Sequence, residues 1–323
     1  MNTSGKLRLA GHLQAQEQLR PKASNFFKKL TKLYAQTDPA LKEELKKILL
    51  GLLKDTDKLA VLLVDLQNDF VLPDFALYAP GGENTLLRNM ALLDVLEDLI
   101  NTHDQLAPQI ELITTQDAHV FERDEEHIDA QIMAKGYDKV HATKTLQVER
   151  NELKEFNLAR AHYGLHCLRG TIGAAISDPI EKRLKKLHAK IRIYRFAKIN
   201  FSAPEAGMLL KKGIDLSDPR FLKQTNNVYD EGGLTFLQFF QKQKYSKVII
   251  TGICGNICVQ QAAEGLATAG EKVYVLDPCV HYLIVPGINS YDEVWSRVQQ
   301  SYAAKGISLI RLDRFRSNPE SPL

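Results

Sequence analysis

The sequence is poor in cysteine, with four in 323 residues, and carries a single tryptophan. Four thiols at irregular spacing make neither a disulfide scaffold nor a structural zinc site, and they fit a reducing, cytoplasmic location. No apolar run approaches the roughly 20 residues that span a bilayer. The opening stretch, MNTSGKLRLAGHLQAQ, has no apolar core and no small-residue cleavage site, so no secretory signal is expected. An excess of one charge is lacking too. The formal net charge of +3 is too near neutrality to argue for nucleic acid. Internal repeats and low-complexity tracts are absent. What is present is an ordinary globular composition, 44% hydrophobic and 25% charged, sufficient for one large α/β domain with an accessory segment.

Residues 1–56 differ in pattern from the remainder. FFKKLTKLYAQ and PALKEELKKILLGLLKD place apolar residues at helical spacing with lysines between them, which predicts a basic helical N-terminal extension. Its apolar face is expected to pack on the main domain or on a second subunit in a homo-oligomer. Binding of a membrane surface or partner through Lys28, Lys29, Lys46 and Lys47 is the alternative. The main domain is expected over residues 57–315, with a tail at 316–323. Six short runs rich in Val and Ile alternate there with helical stretches: LAVLLVDLQ, IELITTQDAH, KIRIYRFAK, KVIITGICG, EKVYVLDPC and ISLIRLD. Runs apolar on both faces suit strands buried in a parallel sheet. The pattern predicts a three-layer α/β/α, doubly wound fold with a mostly parallel six-stranded sheet. A polar stretch at about 120–160 breaks the rhythm and reads as a lid or a mobile insertion.

The reactive side chains collect at one edge of that sheet. Asp65 ends the first run, Asp117 and His119 the second, Lys198 the third, and Cys254 and Cys258 follow the fourth. Ligands of open parallel sheets bind beyond the carboxyl ends of the strands. Each residue alone has a plain structural reading: a buried small thiol, a strand-end turn former, a solvated lysine. Their convergence argues for chemistry. Cys258 falls where a helix begins, and free N–H groups and the helix dipole there are expected to favour a thiolate. Burial is expected to raise the Asp65 pKa toward that of a useful base, with Lys198 opposing the shift. In Asp117-Ala118-His119, a carboxylate and an imidazole two residues apart point the same way on an extended strand end and could reach one cation.

Five segments in order, LAVLLVDLQNDF, TQDAH, HYGLHCLRGT, FAKINFS and TGICGNICVQQAAEGL, resemble the nicotinamidase branch of the isochorismatase-like hydrolases. The resemblance runs from about Leu59 to Asp313 and omits the extension. It implies a catalytic triad of Asp65, Lys198 and Cys258. Asp117, His119 and His166 become ligands of one divalent metal ion, zinc or iron. Phe70 and Tyr163 become pocket aromatics, Tyr163 standing where the family usually has tryptophan. Gly81 and Gly82 match the loop after the first strand. A non-proline cis peptide is implied at Ile253–Cys254, with the backbone N–H groups of Cys254 and Cys258 as the oxyanion hole. The implied reaction is hydrolysis of nicotinamide to nicotinate and ammonia through a thioester, as in NAD salvage.

The chain departs from the family at Cys254, Asn256 and Tyr163-Gly164. A further ligand among Glu122, Glu125, Glu126 and His127 stays open. So do two other readings: a hydrolase of this fold for another small amide or carbamoyl compound, and a non-catalytic binding protein that keeps the fold.

Overall fold

Alternation within the first strand sets the layers. In β1 (Leu59–Val64) Leu59, Val61 and Leu63 enter one apolar core, and Ala60, Leu62 and Val64 enter another on the opposite face. All six are buried, so the strand has no polar face. The computed structural model describes residues 3–37, 39–119, 166–198, 202–222, 228–284 and 289–312, with backbone alone over 3–12 and at 222. The stretch at about 120–160, the tail at 316–323, Tyr163 and the candidate ligands Glu122, Glu125, Glu126 and His127 lie outside them.

Strands β2 (Ile110–Asp117), β3 (Arg192–Lys198), β4 (Met208–Leu209), β5 (Lys247–Ile253), β6 (Val273–His281) and β7 (Ser308–Ile310) complete a seven-stranded sheet in the order β4-β3-β2-β1-β5-β6-β7. The sheet is α/β and parallel except for β4, which pairs antiparallel with β3. The expected count of six strands is corrected to seven. β4 is two residues long at an edge, too short to leave a period in the sequence.

One face of the sheet carries α4 (Gly82–Thr102) and α5 (Asp178–His188), the other α7 (Phe236–Gln243), α8 (Cys258–Thr268) and α9 (Tyr291–Ala304). Capping boxes open α7, where Thr235 pairs with Gln238, and α9, where Ser290 pairs with Glu293. Each satisfies backbone donors that the first helical turn leaves unpaired. Two short helices, α3 (Asn68–Val71) and α6 (Ala203–Ala206), follow β1 and β3.

The N-terminal segment is helical, as α1 (Thr3–Tyr34) and α2 (Pro39–Leu53). Leu41, Leu45 and Leu49 recur at the four-residue helical spacing and are fully buried in the core that holds α4. Each such leucine contributes about 1.5–3 kcal/mol by leaving water. Lys28, Lys29, Lys46 and Lys47 are exposed on the other side. No described helix is long and apolar enough to cross a membrane.

Candidate active site

The parallel register brings the carboxyl ends of β1, β2, β3 and β5 level, and the polar residues begin where the apolar runs stop. Asp65 follows β1 directly, with φ at +53°, and donates its N–H to the Thr115 carbonyl at 3.2 Å. A left-handed non-glycine residue costs about 1–3 kcal/mol and persists only when its surroundings fix it. Thr115 Oγ1 supplies a second tie, donating to Asp65 Oδ1 at 2.8 Å. Asp117 and Lys198 are the last residues of β2 and β3 and are registered opposite one another.

Lys198 stands at the centre. Its Nζ is 2.8 Å from Asp65 Oδ2 and 3.8 Å from Cys258 Sγ, and it donates to Asp117 Oδ1. All four side chains are buried. Burial works against the Lys198 charge, but Asp117 and Asp65 outweigh it and hold the amine well above its ordinary pKa. Burial also pushes Asp117 upward, and Lys198, then His119 and His166, reverse the sign and keep it ionised. Asp65 goes the other way. Its desolvation exceeds the pull of Lys198 and its carboxyl is raised. Cys258 is the first residue of α8, as expected, yet burial lifts its thiol well above the usual value despite Lys198. Desolvation is the largest influence on this thiol, and Lys198 opposes it.

Asp117 faces both ways. Its Oδ1 meets Lys198, and its Oδ2 lies 3.8 Å from His119 Nε2 and 4.0 Å from His166 Nε2. One ligand atom from each of Asp117, His119 and His166 falls within 4.8 Å of the others, and all three residues are buried. A carboxylate and two imidazoles in one small space suit a divalent transition-metal ion. The rings of His119 and His166 sit edge to face at 4.7 Å, and Phe70 lies 5.9 Å from His166. His119 and the 166–169 segment are bridged in parallel: His119 donates its N–H to the Cys167 carbonyl at 3.1 Å, and Arg169 donates to the His119 carbonyl at 2.9 Å.

The peptide Ile253–Cys254 is cis, where the resemblance placed it. Gly252 before it has φ +116°, and a Cβ there would lie 2.1 Å from the Val64 carbonyl oxygen, so only glycine permits β5 to approach β1 at this point. Gly81 caps α4 in the left-handed region, and a Cβ on Gly82 would lie 3.0 Å from the Phe70 carbonyl.

No family model matches the chain. A nicotinamidase of Saccharomyces cerevisiae is 24% identical over 255 residues, which are 77% of this chain and 98% of that protein. The chain resembles a nicotinamidase. Among solved structures, a nicotinamidase/pyrazinamidase from Bacillus subtilis superposes with a TM-score of 0.47 at 12% identity, covering 79% of this chain and all of that one. The yeast nicotinamidase does so at 0.45 and 19%, covering 78% and 99%.

Several supporting residues escaped the sequence reading. Gln67 is fully buried, donates to the Asp117 and Ala174 carbonyls at 2.8 and 2.9 Å, and accepts the Asp117 N–H at 2.6 Å. It thereby fixes the backbone of Asp117. Asn68 donates to the Ile172 carbonyl at 2.9 Å and accepts from Ser177 at the same distance. A polar Gln-Asn-Asp run directly after an apolar strand was the available signal, since buried polar side chains must find partners.

Proposed function

We propose that this chain is a cysteine amidohydrolase that converts nicotinamide to nicotinate and ammonia, with Asp65, Lys198 and Cys258 as its reacting groups. The observation that carries the reading is the position of Lys198, whose single ammonium stands against both Asp65 and Cys258 inside a buried site. The resemblance to a nicotinamidase supplies the substrate.

Proton transfer from the Cys258 thiol to the Asp65 carboxylate moves one negative charge from one neighbour of Lys198 to another. The net charge of the cluster does not change, so burial does not oppose the step as it would the ionisation of an isolated thiol. The thiolate then attacks the carboxamide carbon. Negative charge develops on the carbonyl oxygen, where the N–H groups of Cys254 and Cys258 serve as donors. Collapse of the tetrahedral adduct breaks the C–N bond, and Asp65 gives its proton to the departing ammonia. Water next attacks the thioester, Asp65 again taking a proton, and nicotinate leaves as Cys258 recovers its thiol. Phe70, 5.9 Å from His166, would lie against the pyridine ring. Asp117, His119 and His166 would hold one divalent ion, zinc or iron, which when bound supplies a fixed Lewis-acid contact for a ring nitrogen.

The thioester is the distinctive step. Acid quench of the protein during turnover of nicotinamide, followed by peptide mass analysis, should place a nicotinoyl group on Cys258. Turnover with no acyl group trapped there, and undiminished in Cys258→Ala, would rule out the covalent route.

A further inference from the structure

A side chain from the N-terminal extension lies behind the proposed metal ligands. Gln16 of α1 is 3% exposed. Its Oε1 accepts the Gly173 N–H at 3.0 Å, and its Nε2 donates to Asp69 Oδ1 at 3.4 Å. Asp69 is itself fully buried and accepts two backbone donors, the Ala76 N–H on Oδ1 at 3.3 Å and the Cys167 N–H on Oδ2 at 2.5 Å. Its carboxylate is packed so closely against Gly173 that a Cβ there would come within 2.2 Å of Oδ2.

The Cys167 peptide is the junction. Its N–H goes to Asp69, its carbonyl accepts the His119 N–H at 3.1 Å, and the preceding residue is His166. Cys167 also holds φ at +44°, a left-handed value that a cysteine keeps only where its surroundings impose it. Asp69 holds the N–H of that residue, and Gln16 supplies one of the donors to Asp69.

We propose that Gln16 is a positioning residue, through which the N-terminal helix braces Asp69 and so holds His119 and His166 at the spacing that a metal ion needs. The proposal rests on the metal reading of Asp117, His119 and His166. Without the Gln16 amide, Asp69 Oδ1 loses a donor inside a buried site. The carboxylate can then turn, and the Cys167 peptide that ties the two imidazoles together loosens. Partners in the shell behind metal ligands typically contribute 10–100-fold in affinity.

The test is cobalt(II) binding to the full chain, read as affinity against a competing chelator and as the visible ligand-field spectrum. Gln16→Met keeps the buried bulk and removes both hydrogen bonds. Gln16→Glu keeps an acceptor for Gly173 and sets a second carboxylate against Asp69. Affinity is expected to fall about tenfold in Gln16→Met and further in Gln16→Glu, with an altered spectrum in both. A helix that merely docks would lose thermal stability in these variants with the spectrum of the bound metal unchanged. Wild-type affinity and spectrum in both variants, with binding lost in His166→Ala, would overturn the Gln16 proposal and leave the metal reading standing. Failure of the wild-type chain to bind cobalt, or undiminished binding in His166→Ala, would overturn both.

Discussion

Lys198 Nζ lies 2.8 Å from Asp65 Oδ2, and neither side chain exposes any surface to solvent. A buried pair of this kind has surrendered the hydration of both charges, and its attraction compensates only while both partners remain. Asp117 shares the same ammonium, so one cation balances two carboxylates and moderates a buried thiol. Lys198→Met should therefore cost about 3–5 kcal/mol in urea unfolding, because it strands negative charge in the interior. Adding Asp65→Asn to that variant should recover part of the loss. Additive losses in the double variant would mean that the two residues do not interact.

Cys258 is small and buried in the second core, and Cys258→Ala removes only its sulfur, so the variant should fold with a thermal midpoint close to that of wild type. Amide hydrolysis should fall by at least about 10³-fold, since removal of a nucleophile leaves only binding and oxyanion stabilisation. Parallel assays of ammonia release and circular dichroism check this. An active alanine variant would remove Cys258 from the chemistry.

The fold was legible where hydrophobic pattern is decisive. β1, β5 and the helix over Gly82–Thr102 are long, apolar and flanked by clear breaks, and they lie within a few residues of their expected positions. The grouping of Asp65, Asp117, Lys198 and Cys258 followed from strand ends in a parallel sheet, a consequence of topology alone. What was hidden depends on three-dimensional partners. Gln16 reaches Asp69 across 53 residues of sequence, and no local spacing announces such a contact. β4 has only two residues. The upward push on the Cys258 thiol comes from its depth of burial, which no local pattern announces.

Gly252 is required by geometry and not by propensity. Its φ of +116° is closed to side chains, and a methyl group would collide with the Val64 backbone. Gly252→Ala should lose about 3 kcal/mol or more, combining backbone strain with overpacking beside the cis peptide. Urea unfolding measures it, and a loss below about 1 kcal/mol would mean that β5 and β1 can separate there without penalty.

Cys279 bears on alkaline stability. Burial pushes its thiol from near 9 up to about 12. Above pH 9 the unfolded chain releases this proton and the folded chain keeps it, so the unfolded state gains. The stabilising contribution is complete below pH 9 and declines until about pH 12. The decline approaches about 1.4 kcal/mol per pH unit for one thiol. Cys279→Ala should lose less stability than wild type between pH 9 and 11, measured by denaturant unfolding. Parallel declines in the two proteins would place the thiol's titration elsewhere.

Ammonia release from nicotinamide, measured before chelation, after it, and after zinc or iron is restored, tests the central claim most directly. The account predicts release by the loaded protein, loss of at least about 100-fold on chelation, and recovery with metal. No release from folded protein carrying metal would contradict the assignment of nicotinamide as substrate, and release indifferent to chelation would contradict the role given to Asp117, His119 and His166.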